Sequence, residues 1–331
     1  MEKMNSKPSR LEILPDELIL DLFSYIPSIE LYYTWYGLNR RLSAIIRSVK
    51  ISFELNDNTE RTIHTLNYFS SQIIRLHVRN CFDNLDLRCF SNLRSLIIDT
   101  KLTSDQLHAI HPSALPHLKR LTFSEWWIDR EPLNSIIFTQ HSSENQSMTW
   151  LKVYHIPTMP SYFLRHYQPL SYVHTMIFDR VHPCNINIIL SVQTLLRRLK
   201  LTVVRWMPDD GLSKILPSVR QYQHTSLVHL DVTMNTWDKL DDLYPILSHL
   251  SCLKHLHVTC DSLTMNDLKR LAIELHTRVP TMKRFTCSFR QTYVENIKTV
   301  QCLSPLFRCM RCTKVQWEGG WHYYCVTTND I

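Results

Sequence analysis

One spacing, apolar-x-x-apolar-x-apolar, returns ten times along this chain and restricts its possible folds more than any other feature. It stands at Ile73/Leu76/Val78, Leu93/Leu96/Ile98, Leu118/Leu121/Phe123, Met148/Leu151/Val153 and Val173/Met176/Phe178. It continues at Leu196/Leu199/Leu201, Leu227/Leu230/Val232, Leu253/Leu256/Val258, Met282/Phe285/Cys287 and, more weakly, Cys312/Val315/Trp317. Successive starts lie 20 (Ile73 to Leu93) to 31 (Leu196 to Leu227) residues apart. The last two apolar positions of each unit are two residues apart, so on a short strand both point to the same side. A single strand of this kind buries too little to be stable. Stacked in parallel, the strands share a continuous apolar interior, and the intervening segments must return on the other side.

The returning segments carry helix signals. Thr103–Ser104–Asp105–Gln106 predicts a capping box before Leu107 and Ile110, and 264–267 predicts another before Leu268, Leu271, Ile273 and Leu275. Residues 185–196 and 238–250 show similar apolar spacing. Ahead of the first unit, Val49, Ile51, Phe53 and Leu55 alternate with polar residues as a half-buried strand does, and 62–71 can form a helix. At the far end, 314–317, Glu318–Gly319–Gly320 and 321–326 predict a strand, a glycine turn and a returning strand that closes an exposed edge.

The repeat resembles the leucine-rich repeat family in its longer, helix-bearing form. That resemblance implies an α/β, curved solenoid with a parallel sheet on its concave side, the alternative being an ordinary α/β domain. The family's asparagine or cysteine after each strand is mostly replaced here, with Cys81 and Cys260 near that position. Residues flanking each apolar pair then project from the concave face. One column reads Arg75, Ser95, Arg120, Trp150, Thr175, Arg198, His229, His255, Arg284, Lys314, and its neighbour His77, Ile97, Thr122, Lys152, Ile177, Lys200, Asp231, His257, Thr286, Gln316. Candidate target-binding residues are Arg75, Arg120, Trp150, Lys152, Arg198, Lys200, His229, His255 and Arg284. Such a face suits an acidic or phosphorylated protein segment, because Arg pairs carboxylate and phosphate in a bidentate manner. The plain alternative is a solvated surface.

A second signal lies at 11–48, LEILPDELILDLFSYIPSIELYYTWYGLNRRLSAIIRS. Pro15 fits the first turn of a helix, and Asp16 and Glu17 sit against the positive end of its dipole. Leu18, Ile19, Leu22, Phe23 and Ile26 recur on one wide apolar face, and Pro27 ends the helix. Ser28 can cap a second helix carrying Leu31, Tyr32, Trp35 and Tyr36, Gly37 suits its stop, and Leu42, Ile45, Ile46 and Val49 mark a third. A unit this small needs company to be stable. LPDELILDLFSYI, the IEL step at 29–31 and LNRRLSAII at 38–46 resemble an F-box. That family docks on the SKP adaptor of cullin-based ubiquitin ligases, and the resemblance places adaptor contacts at Leu14, Pro15, Leu18, Ile19, Leu22 and Leu31. The aromatic run YYTWY at 32–36 departs from the family pattern.

Composition narrows the chemistry. Four glycines, Gly37, Gly211, Gly319 and Gly320, leave no material for a phosphate-cradling loop, and no cofactor is expected. No G-x-S-x-G, H-E-x-x-H or recognisable reactive cysteine occurs, so an enzyme is not expected; Asp209–Asp210 and Asp241–Asp242 are adjacent rather than facing. Cys309-x-x-Cys312 with Cys302, His322 and Cys325 is only half a zinc pattern, and His108-x-x-His111 lacks a matching partner. A formal charge of +7 over 331 residues is thin for a nucleic-acid binder. MEKMNSKPSR has no apolar signal region and no run is long enough to span a bilayer, which places the chain in the cytoplasm or nucleus with reduced cysteines and no membrane partner.

Together these readings predict an F-box domain at 9–50 and a leucine-rich-repeat-like solenoid with a C-terminal cap at 51–331. The expected function is a substrate-recognition adaptor of a SKP-cullin-F-box ubiquitin ligase. The alternative is a repeat scaffold or inhibitor unconnected with ubiquitination.

Overall fold

The computed structural model describes residues 13–111, 113–124, 148–156, 172–204, 223–234, 240, 243–260, 263–290, 301–302, 307, 310–316 and 322–328. The chain is α/β with mostly parallel strands, and it divides into two compact units, Met1–Ile128 with Ser143–Ser147 and Asp129–Ser142 with Met148–Ile331.

The first unit begins with helices α1 (Asp16–Ser24), α2 (Ser28–Trp35) and α3 (Arg40–Ile46). Pro15 stands at the cap of α1, followed by Asp16 and Glu17 in its first turn. Pro27, not Ser28, caps α2, because proline's extended ψ of 138° already turns the chain out of the preceding helix. Gly37 takes φ +82°, the left-handed region that a side chain resists. Asn39 then caps α3 by accepting from the Leu42 N–H at 2.8 Å. Arg41 reaches back from α3 to the start of α1, donating from Nε to Asp16 at 2.8 Å and from Nη2 to the Leu14 carbonyl at 2.5 Å.

Strand β1 (Ile51–Leu55) alternates buried and exposed, as the period of two demands. It pairs in parallel with β2 (Ile73–Val78), which pairs with β3 (Ser95–Ile98), which pairs with β4 (Arg120–Phe123). Phe53, Leu76, Leu96 and Leu121 stand in one register row; Leu55, Val78, Ile98 and Phe123 stand in the next, and all are buried. Between the strands run α4 (Glu60–Phe69), starting two residues earlier than the apolar spacing predicts, and α5 (Ser104–His108) with the expected Thr103/Gln106 capping box.

In the second unit β5 (Trp150–Ile156), β6 (Thr175–Val181), β7 (Arg198–Val203), β8 (His229–Met234), β9 (His255–Cys260) and β10 (Arg284–Arg290) pair successively in parallel. Leu199, Leu230, Leu256 and Phe285 share one buried row, and Leu201, Val232, Val258 and Cys287 share the next. Helices α6 (Pro183–Val192), α7 (Leu243–Leu247) and α8 (Met265–Arg278) occupy the connections, α8 with the expected Thr264/Asp267 capping box. Nine of the ten apolar units therefore lie on parallel strands.

The tenth does not. β11 (Met310–Gln316) is antiparallel to β12 (His322–Thr328), and β12, not β11, is the neighbour of β10. Lys314 and Gln316 are thus not successors of Arg284 and Thr286 in the columns, because a hairpin folding back on itself inverts strand direction and order. The hairpin itself is present as expected, while its turn at Glu318–Gly320 and Trp317 lie outside the described residues. Thr328 fastens it, its Oγ1 accepting the Phe285 N–H at 2.8 Å and donating to the Phe285 carbonyl at 3.1 Å.

No single residue type satisfies the turn carbonyls. Asn80 donates its side-chain amide to the Asn56 carbonyl, Asn92 to Ser71 at 2.7 Å, and Gln106 to Phe82 at 2.5 Å and Leu85 at 3.2 Å. In the second unit Thr281 donates toward the carbonyls of Ser251 and Leu253, each at 2.9 Å, and His224 bonds the Gln193 carbonyl at 2.7 Å. The work of an asparagine ladder is spread over Asn, Gln, Thr and His. Cys81 contributes only side contacts to Thr100 and Lys101 while remaining exposed, and Cys260 is buried.

Candidate functional site

Two surfaces bring the sequence-derived candidates together. The first is the outer side of α1. The wide apolar face splits into two ridges, each with i, i+4 spacing. Ile19 and Phe23 turn inward and are fully buried, α1 packing on α3, while Phe23 meets Trp35 with ring centroids 5.5 Å apart. Leu18 and Leu22 turn outward and are 52% and 40% exposed. Ile13 (70%), Tyr25 (86%) and Leu38 (63%) are exposed apolar side chains of the same helical segment; Pro15 is exposed and Leu14 half-buried. Ile19 and Leu31, expected among the adaptor contacts, are both at 0% exposure. Their side chains are spent on the chain's own core.

The aromatic run of α2 has an internal role. Tyr32 stacks on Tyr36 at 5.1 Å and 13°, and both rings meet Tyr68 of α4, at 4.8 and 4.6 Å. Phe69 and His64 add further ring contacts to Tyr32, and burial, followed by Tyr36 and Tyr33, pushes the Tyr32 hydroxyl above its ordinary pKa. Arg61 of α4 lies over the Tyr33 ring at 4.2 Å. These contacts bind α2 to α4.

The second candidate surface is the outward face of the strands, taken unit by unit. In the first unit Arg75, Ser95 and Arg120 stand in register, as do His77, Ile97 and Thr122. Arg75 and Arg120 are exposed. His77 is caught between carboxylates, with Nε2 2.5 Å from Asp99 and Nδ1 3.9 Å from Glu54, and Glu54 also pairs with Arg79 at 2.6 Å. Burial pushes the Asp99 carboxyl up, but hydrogen bonds from Ser124 and His77 and the charges of His77 and Arg79 outweigh it and hold the group low. Asp99 takes the central place between Ser124 and His77.

In the second unit the registered column is Trp150, Thr175, Arg198, His229, His255, Arg284, and its neighbour is Lys152, Ile177, Lys200, Asp231, His257, Thr286. The two columns differ in character. In the neighbour the charges are answered within the surface: Lys152 to Asp179 at 2.9 Å, Lys200 to Asp231 at 3.5 Å and His257 to Asp231 at 3.4 Å. Burial raises the Asp231 carboxyl, yet His257 and Lys200 bring it below its usual range. The first column holds no carboxylate. Arg198 and Arg284 are exposed, Trp150 is half-exposed, and the His229 and His255 rings stack at 4.3 Å and 8°. Burial, then His255 and Arg198, depress the His229 imidazole.

The carboxylates Glu54, Asp99 and Asp179 escaped the sequence reading. Continuing the same alternation one step past the second column reaches Asp99 and Asp179, so the signal was present. The remaining chemical candidates carry little. His111 accepts from the Ser113 N–H at 3.1 Å in a surface turn. Among the described residues no cluster of three His, Cys, Asp or Glu could hold a metal, and no helix is long and apolar enough to cross a membrane. Cys309, Asp209–Asp210 and Asp241–Asp242 lie outside the described residues, as do the side chains of Cys312, His322 and Cys325.

In comparisons with known proteins, no family model matches the chain and no curated protein matches it.

Proposed function

We propose that the chain is a substrate-recognition adaptor of a SKP-cullin-F-box ubiquitin ligase, with an F-box-like helical clip at its N-terminal end and a leucine-rich-repeat-like solenoid behind it. The observation that supports this most is the outer ridge of α1. Leu18 and Leu22, with Ile13, Pro15, Tyr25 and Leu38 exposed on the same helical segment, present apolar side chains to solvent while the inner ridge is closed by the chain's own core. Contiguous exposed apolar side chains rimmed by polar ones mark partner surfaces. Asp16, Glu17, Asp21 and Glu30 are exposed charges of the same helical segment.

The adaptor's chemistry is positional. It performs no bond-making step, and cofactors are not needed; it holds a target lysine near a charged carrier and so raises an effective concentration. The outward strand faces bear the target. Replacing Leu18 and Leu22 by Asp tests the reading. Loss of co-purification with the SKP adaptor, with an unchanged thermal unfolding midpoint, supports it, and an unchanged complex rejects it.

The alternative, a repeat scaffold or inhibitor for which α1–α3 serve only as an N-terminal cap, is favoured by one observation. The helices are fastened to the chain that follows them through the contacts of Tyr32 and Tyr36 with Tyr68 of α4 and through Gln72, as a cap would be. A wild-type chain that fails to bind the SKP adaptor at micromolar concentration selects this second reading.

A further inference from the structure

The outward column of the second unit contains a run of four side chains whose chemistry is unlike the rest of that face. Arg198, His229, His255 and Arg284 occupy consecutive strands in strict register, one per strand from β7 to β10. At about 4.8 Å per strand the run spans roughly 14 Å, the reach of a few extended residues laid across the strands. Its centre is the parallel imidazole pair His229 and His255 at 4.3 Å. Two imidazolium ions at that separation repel, and each ring also has an arginine as its other register neighbour.

The surrounding groups do not relieve this repulsion. From β7, Lys200 and Arg198 are both cationic; β10 supplies Arg284 and the neutral Thr286, and β6 supplies Thr175. From β8, Asp231 is the near carboxylate, but Lys200 at 3.5 Å and His257 of β9 at 3.4 Å already engage it. Among the described residues the run is therefore short of negative charge. A carboxylate brings one charge, enough for a single imidazolium. A phosphomonoester brings close to two at neutral pH, together with three acceptor oxygens, and matches both guanidinium geometry and the paired rings.

We propose that Arg198, His229, His255 and Arg284 form a proton-linked binding site for a phosphoserine or phosphothreonine segment of a protein target. The anion is gripped by the arginines, and binding draws protons onto the stacked histidines. By linkage, affinity then rises as pH falls through the imidazole range, and the phosphate in turn raises the proton affinity of both rings. The inference deepens the target-binding half of the proposed function, and it is independent of adaptor docking at Leu18 and Leu22.

The test uses the intact chain and a phosphoserine peptide flanked by glycine and alanine, with its serine and glutamate counterparts and a single-stranded oligonucleotide as controls. Calorimetry between pH 7.5 and 6.5, in buffers of different ionisation enthalpy, reads affinity and proton uptake together. The expected result is phosphate-dependent binding that tightens by up to about tenfold per pH unit for each proton taken up. In the double variant His229→Gln/His255→Gln the pH slope and the uptake vanish. In Arg198→Gln/Arg284→Gln affinity falls on the order of tenfold or more at every pH. All four side-chain changes face outward, so unchanged unfolding midpoints confirm the fold. Equal binding of the serine peptide, no binding at millimolar peptide and low salt, proton uptake that survives removal of both histidines, or tighter binding of the oligonucleotide each overturns the proposal. Co-purification of the SKP adaptor with these same variants keeps the two readings apart, because it is expected to be unchanged whichever way the peptide result falls.

Discussion

The side-chain amide of Gln72, one residue before β2, donates to the carbonyl of Ile46 at 2.7 Å and to that of Val49 at 3.0 Å. Ile46 ends α3, where a helix leaves carbonyls without intrahelical donors, and Val49 precedes β1. One glutamine thus satisfies the exit of the helical segment and holds it against the strands.

Gln72→Met keeps the side-chain length and removes the donor, leaving the Val49 carbonyl to find water or go unpaired and the Ile46 carbonyl with the Val49 N–H at 3.2 Å. The expected loss is about 1–3 kcal/mol of unfolding free energy, read from urea denaturation at constant m-value. A loss below about 0.3 kcal/mol would show that solvent replaces the amide without cost.

The tyrosine cluster predicts a measurable coupling between α2 and α4. Tyr32 and Tyr68 lie 4.8 Å apart and share Tyr36 as a common neighbour. A double-mutant cycle with Tyr32→Leu and Tyr68→Leu should return an interaction energy of about 0.5–1.5 kcal/mol, the size of an aromatic pair beyond its buried area. Additive effects would mean that the rings are only neighbours.

Much of this architecture is legible in the chain because the period of two is unambiguous once one apolar pair is placed. Leu76, Leu96 and Leu121 align as the spacing requires, and so do Arg198, His229, His255 and Arg284 on the opposite face. Three features were not legible, each for a physical reason. Helical periodicity gives the direction of an apolar stripe but not which half of it the chain covers, so Ile19 and Leu18 look alike in sequence. An apolar spacing is the same read on a parallel or an antiparallel strand, so the place of β11 at the edge beyond β12 could not be read from Cys312/Val315. Net charge gives no pairing, so the neutralisation of Lys152 by Asp179 and of Lys200 by Asp231 emerged only in three dimensions.

The split of α1 into two ridges can be checked without any partner. Ile19→Ala empties a site at 0% exposure and should cost about 2–5 kcal/mol. Leu18→Ala, one residue away at 52% exposure, should stay within about 0.5 kcal/mol of wild type in the free chain. Comparable losses at the two positions would place Leu18 inside the core and remove the exposed ridge.

His224 predicts how stability responds to acid. Its Nε2 lies 2.7 Å from the Gln193 carbonyl and must donate, so Nδ1 is the acceptor, taking the Leu227 N–H at 3.1 Å and the Ser226 N–H at 3.4 Å. That arrangement fits only the neutral ring, since a proton on Nδ1 would point at two backbone donors. Burial lowers the imidazole pKa, and the bond to Gln193 offsets only part of that. A lowered folded value means that the unfolded chain binds the proton more readily. The contribution of His224 is therefore fully present above the unfolded pKa near 6.5 and is lost as pH falls from there toward the folded value. Across that window the loss from this one ring is at most about 1.4 kcal/mol per pH unit. The unfolding midpoint followed from pH 7.5 to 5 should decline for the wild type. In His224→Gln, which cannot titrate, the part of the slope due to this ring should disappear, while the stability at pH 7.5 falls because Leu227 and Ser226 lose a well-placed acceptor. Parallel pH profiles for the two proteins would mean that His224 keeps the same proton affinity on unfolding, and the capping role drawn from its tautomer would fail.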